Sequence, residues 1–212
     1  MAFPAYRPYA APAQRGVSLI ELMVGLTVLA IALMMGVPSL GEWIRNSQIR
    51  STAEALQNGL NFARAEAVRR NTVVRLQFTD TLDDNCALSD TGTHWVANAS
   101  SSVPPTSLCG HPVDEAVTPF IVQKGNPVAT GSGATISATE STIAFNGLGR
   151  VASTTNPDVA VGTLTVDVQS SNGACAADSS PMRCLRLVVT PAGQVRMCDP
   201  ARTEATDPMV CQ

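Results

Sequence analysis

The sequence predicts an α+β fold in which one long N-terminal helix packs on a C-terminal antiparallel β domain. Three observations carry that prediction. Residues Leu22 to Gly41 form an apolar run without a single charge. After it, Ile49, Ala53, Leu56, Leu60, Ala63 and Ala67 recur at spacings of four, three, four, three and four, the period of one helix face. Beyond Thr72 the apolar period drops to two, the signature of strands.

The apolar run, wound as an α-helix, rises about 30 Å, roughly the hydrocarbon thickness of a bilayer. It reads as a membrane-spanning segment over residues 17–41. Glu21 stands at its start, where an unpaired carboxylate would cost at least ~2.5 kcal/mol. Its presence there calls for a function. Arg7 and Arg15 precede the run with no acid among them, which keeps the first residues cytoplasmic and sends the rest across. Pro38 removes one backbone donor inside the run and should bend or locally melt the helix.

Past the membrane the helix becomes amphipathic and continues to residue 71. Its apolar stripe needs a sheet to cover, and the opposite face carries Arg50, Glu54, Gln57, Asn61, Arg64 and Arg69, read as solvated surface. Glu66 and Arg70 form an i,i+4 pair, Arg69 and Arg70 complement the helix dipole, and Asn71 is a suitable cap.

The remainder, residues 72–212, reads as a β-rich globular domain. Val74, Leu76 and Phe78 alternate with polar neighbours in a first strand. A polar loop from Asp80 to Pro112 follows, interrupted by a short strand at His94-Trp95-Val96. Thr118 to Val122 and Ser141 to Phe145 are further strands, with Gly125 to Gly133 as a loop between them. Leu164, Val166 and Val168 mark another strand, and Leu185, Leu187 and Val189 the next. The turn Pro191-Ala192-Gly193 then returns the chain through Val195 to Cys198 in a hairpin. The polar tail from Asp199 would fray unless Cys211 ties it down.

Aromatic residues are 4% of the chain and charged residues 15%, so the core must rest on Ala, Val and Leu. The formal net charge of −3 argues against broad nonspecific nucleic-acid binding. All six cysteines, Cys86, Cys109, Cys175, Cys184, Cys198 and Cys211, lie beyond the apolar run. An even count in an exported body reads as disulfides in an oxidising compartment. Fifteen connectivities are open; pairing in sequence order is preferred because each bond then closes a short loop. No C-x-x-C pair exists and His94 and His111 have poor zinc-ligand spacing, so no metal or other cofactor is expected. Catalysis finds no nucleophile elbow and no phosphate loop, since Gly131-Ser132-Gly133 lacks the lysine. The chain is therefore read as a non-enzyme.

Gly16, the hydrophobic Val17, and Glu21 as the fifth residue after the glycine resemble the class III signal of type IV pilins and type II secretion pseudopilins. A Sec signal would instead be cut after the apolar run, and residues 35–41 offer no good small-x-small site. A plain anchor would call for neither Glu21 nor the Gly-hydrophobic junction. The resemblance implies cleavage by a prepilin peptidase between Gly16 and Val17, N-methylation of Val17, and use of the helix as filament core. Val17 departs from the more usual phenylalanine or methionine. Removal of residues 1–16, with their two arginines, would take the net charge from −3 to −5.

Residues Leu60 to Asn71 resemble the "ARSEAIRRN" run of the GspH/FimT subgroup, Phe145 to Val151 its "F-x-x-x-G-R" strand, and Gly193 to Cys198 its "G-R-x-R-x-C" ending. The resemblance implies a pilin-like minor subunit at the tip of a type IV pilus or secretion pseudopilus, helping to initiate or cap it. Its implied partners are other minor and major (pseudo)pilins, the inner-membrane assembly platform, and the lipid bilayer before assembly. The implied location is a single-pass inner-membrane protein with a periplasmic C-terminal domain, then the filament tip. Some pilus-type members bind DNA through C-terminal arginines. Gln194 replaces the first of these and Arg196 matches, while Arg183, Arg186 and Arg196 lie in an acid-free span between Asp178 and Asp199. The resemblance thus extends to DNA uptake as a candidate role. Glu21 would pair with the methylated amine of Val17 in the same or a neighbouring subunit. A stand-alone membrane-anchored periplasmic binding module is the alternative.

Overall fold

The computed structural model describes residues 16–99, 107–114, 116–128, 133–153, 162–171, 175 and 182–211, with the side chains of 35–39 excepted. The chain falls into two units, Met1–Gly41 and Glu42–Gln212. Helix α1, Leu19–Arg70, belongs to both.

In the first unit the large apolar side chains from Leu19 to Met34 are 54–80% exposed in the isolated chain. That exposure is tolerable only in lipid or against other protein. Among the described residues no helix is long and apolar enough to cross a membrane. Within the run the side chains of residues 35–39 are not described, and Leu40 beyond them is exposed. The bend expected at Pro38 falls on residues 35–39 and so lies outside the described side chains, as residues 1–15 of the expected leader lie outside the described residues.

In the second unit Ile49, Ala53, Leu56, Leu60, Ala63 and Ala67 are all at most 1% exposed. The helix ends in a Schellman motif: the Asn71 N–H donates to Val68 O and the Thr72 N–H to Ala67 O, with Asn71 at φ 50°. The strands β1 Val74–Thr79, β2 His94–Asn98, β3 Ile121–Gly125, β4 Ala134–Ala138, β5 Thr142–Phe145, β6 Val151–Ala152, β7 Leu164–Ser170, β8 Leu185–Val189 and β9 Val195–Cys198 follow. They form two antiparallel sheets, ordered β3-β2-β1-β5-β6 and β4-β7-β8-β9.

Register aligns the apolar rows. Leu76 pairs with Ala97 on one side and Ile143 on the other, and Leu187 pairs with Val166 and Met197. Both rows join the helix stripe in a single core. Each fully buried Leu, Ile, Val or Phe there contributes about 1.5–3 kcal/mol relative to exposure. The back of the first sheet carries a smaller cluster of Cys86, Val96, Cys109 and Ile121. The Cys86–Cys109 disulfide pins the long polar loop onto that face. The other two disulfides join Cys175 to Cys184 and Cys198 to Cys211.

Three strand expectations need correction. Pairing at Thr118–Val122 starts only at Ile121, because Phe120 sits at φ 58° and cannot continue an extended strand. The strand then runs into Gly125, which was expected to open a loop; Trp95 covers that glycine so closely that a Cβ there would overlap its indole. Ala134–Ala138 is a strand where none was expected, with Ala134, Ile136 and Ala138 facing inward.

Candidate functional site

The N-terminal head is built locally. Gly16, Val17 and Ser18 precede the helix, and the Leu22 N–H donates to Ser18 O at 3.1 Å as the first turn closes. Glu21 lies in that turn and is exposed. Four amide N–H groups are left without intrahelical partners at a helix start, so the carboxylate sits where the dipole favours negative charge. Among the described residues nothing lies within 4 Å of where a Cβ on Gly16 would be.

The three C-terminal arginines do not form one patch. Cross-strand pairing puts Arg186 beside Asp167 and Arg196 beside Val188, all on the outer face of the second sheet. The guanidinium of Arg186 donates to both carboxylate oxygens of Asp167, at 2.6 and 2.9 Å. That hydrogen-bonded carboxylate holds the Arg186 proton more tightly than usual. Arg196 is exposed. The Gln194 N–H is turned to Thr190 Oγ1.

Arg183 opens elsewhere, onto a cleft of about 510 Å³ in the second unit. Its backbone N–H donates to Asn46 Oδ1 at 3.0 Å, which fixes it beside α1. Trp43, Asn46, Ser47 and Arg50 of the helix line it, with Leu185 and Met197 of the second sheet and Asp199, Arg202, Asp207 and Met209 of the C-terminal tail. The tail is held by Cys198–Cys211, by the Asp199 N–H donating to Met209 O at 2.7 Å, and by Arg202 between Asp199 and Asp207.

Two helix side chains read as solvated make structural contacts instead. Arg64 Nε donates to Gly149 O at 3.0 Å, and Gln57 Nε2 to Val195 O at 3.4 Å. The Glu66–Arg70 pair forms at 2.7 Å, and Arg69 joins it. Among the described residues no three His, Cys, Asp or Glu side chains converge where a metal ion could sit.

A family model described as Type II transport protein GspH matches residues 52–193, more than half of the chain. The chain belongs to the GspH family. A second model, the prokaryotic N-terminal methylation motif, matches residues 12–37, and so includes Gly16, Val17 and Glu21. No curated protein matches the GspH-family chain. Two crystal forms of the type IV minor pilin FimU from Pseudomonas aeruginosa are similar to it, each with a TM-score of 0.47. The identities are 14% and 16%, over 75% and 74% of this chain and 94% and 97% of FimU. GspH-family proteins are pilin-like structural subunits and not enzymes.

Sequence reasoning missed the cleft of this GspH-family chain. Its walls come from positions up to 166 residues apart, Trp43 and Met209, and no local pattern joins them. Arg202 alone left a signal, since it sits three residues after one aspartate and five before another.

Proposed function

We propose that this chain is a minor (pseudo)pilin, a subunit of a type IV pilus or type II secretion pseudopilus that helps initiate or cap the filament. One observation carries the reading: a methylation-type head and a GspH body stand in tandem on a single chain. In this reading residues 1–16 are a leader removed by prepilin peptidase, 17–71 the helix and 72–212 the periplasmic body. The new Val17 amine would be a cation, and the Glu21 carboxylate is the anion four residues along the chain that can pair with it. In an apolar filament core each charge is expensive alone and tolerable with its partner. The pair thereby selects axial register between neighbouring subunits. The helix waits in the inner membrane and then packs against other minor and major subunits on the assembly platform.

DNA binding is a narrower extension. Arg196 is exposed on the outer face of the second sheet, and Arg186 shares that face under the restraint of Asp167. The mass of the mature N-terminus tests the main reading. N-methyl-Val17 supports the filament subunit; an intact Met1 overturns it in favour of a stand-alone anchored module.

A further inference from the structure

Asn146 and Gly147 open the β5–β6 turn. The backbone closes that turn twice, the Asn146 N–H donating to Arg150 O at 2.9 Å and the Gly149 N–H to Asn146 O at 2.8 Å. The Asn146 side chain is folded back over the residues that follow it, where Oδ1 accepts from the Leu148 N–H at 3.0 Å and from the Arg150 N–H at 3.1 Å. Gly147 lies between, and among the described residues its own N–H donates to no acceptor. No other residue fits there, because a Cβ would lie 2.5 Å from Asn71 Oδ1 and 3.0 Å from Asn71 Cα. The tip is open to water, with Leu148 79% exposed.

A carboxamide bent over an unhindered and unbonded N–H is set for ring closure. We infer that Asn146 is a site of spontaneous deamidation through a cyclic imide. The Gly147 nitrogen gives its proton to hydroxide or water and attacks Asn146 Cγ. The new N–Cγ bond closes the ring, the Cγ–Nδ2 bond breaks, and Nδ2 takes a proton from solvent and leaves as ammonia. Negative charge develops on Oδ1 during the attack, and two backbone N–H groups already point at that atom, so they stabilise the charge without rearrangement. The turn also holds nucleophile and carbonyl together, which removes most of the entropy cost of their meeting. Water then opens the imide at either carbonyl. One opening leaves an aspartate at position 146, whose carboxylate accepts the same two N–H bonds. The other leaves an isoaspartate, which routes the main chain through an additional methylene. That insertion breaks the closure with Arg150 and shifts the Gly149 carbonyl that Arg64 Nε holds. Ageing of this one residue therefore loosens the seat of the turn on the helix.

The chain carries its own control. Asn58-Gly59 is the same dipeptide inside α1, where the glycine N–H belongs to the helix ladder and Trp95 packs on Gly59. A third such pair, Asn172-Gly173, lies outside the described residues.

The test incubates the full chain, disulfides intact, in mildly alkaline heavy-oxygen water and follows the peptide masses. Each imide opening fixes one heavy oxygen, and an isoaspartyl methyltransferase marks the isoaspartate fraction. Asn146 should convert at least about tenfold faster than Asn58, the factor that about 1.4 kcal/mol of helix opening would impose. In the reduced, urea-unfolded chain the two rates should converge. Equal rates in the folded chain, or no isoaspartate at position 146, overturn the site. A lead for Asn146 that persists in the unfolded chain places the reactivity in the neighbouring sequence and overturns the part given to the turn. The consequence is scored separately. Asn146→Asp should melt close to the wild type, whereas the isoaspartate fraction, isolated by chromatography, should melt about 4 °C lower, the scale of two lost turn hydrogen bonds in a body of this size. Identical melting of the two would refute the loosening.

Discussion

Gly193 packs directly on Gly149, so closely that a Cβ on Gly193 would overlap the Gly149 carbonyl oxygen. Both glycines have positive φ, 80° and 72°. The same oxygen accepts the Arg64 hydrogen bond, and the Val151 N–H donates to Pro191 O at 3.1 Å. The β5–β6 turn of one sheet, the β8–β9 turn of the other and the helix therefore meet at one point.

Gly193→Ala should cost more than the 1–3 kcal/mol of a non-glycine residue held at positive φ, because the new methyl also displaces the carbonyl. Thermal unfolding should show a melting temperature lower by at least about 4 °C, at roughly 2–4 °C per kcal/mol for a body of this size. An unchanged melting temperature would mean the two turns can separate freely. Arg64→Ala should cost less, about 1–3 kcal/mol, by leaving the carbonyl without its donor.

Acid should loosen the end of the helix. The Arg69 hydrogen bond, with that of Arg70 beside it, holds the Glu66 carboxyl below its ordinary range against the opposing effect of burial. Its stabilising contribution is therefore complete above the ordinary glutamate pKa of about 4.3 and is lost as pH falls through the depressed folded value. Glu66→Gln should lower stability at neutral pH and flatten the acid limb of a stability–pH curve; a mutant curve parallel to the wild type would contradict this.

Glu21→Ala should leave membrane insertion and leader removal intact while reducing filament incorporation severalfold, because an unpaired Val17 ammonium must then be buried. Quantifying the subunit in sheared filaments against total membrane protein checks it. Incorporation at the wild-type level would refute the charge pairing.

If the outer face of the second sheet takes DNA, Arg196→Ala should weaken binding and reduce the log–log salt slope by about 0.9. Arg186→Ala should do less, since Asp167 already engages that guanidinium. Asp167→Asn should then raise affinity by releasing it. Filter binding across a salt series distinguishes these outcomes, and an unchanged affinity in Asp167→Asn would show that Arg186 makes no phosphate contact.

What could be read from the chain was what is written locally. The stripe from Ile49 to Ala67 is buried at every position, because a 3.6-residue period leaves one face to cover. The alternation in β7 and β8 marks their inner faces equally well. Strand β4 escaped notice because two of its three inward residues are alanines, which carry little apolar signal. The division into two sheets was hidden for a different reason: β1 lies next to β5, with paired residues 65–71 positions apart, and pairing over such a distance leaves no trace in either segment. The head at Gly16, Val17 and Glu21 is legible because its chemistry is contiguous. The separation of Arg183 from Arg186 is not, because Arg183 precedes β8 and is placed by its backbone bond to Asn46, 137 residues earlier in the chain.

Helix α1 is at once the handle by which the body is attached and the centre of its core. Any pull on the N-terminal end reaches the body through Asn46 and then through Ile49, Ala53 and Leu56, which are buried in the core that both sheets share. Such a load must slide many buried contacts past one another together, not peel them apart singly. The body should resist traction along its helix better than its modest disulfide loops suggest.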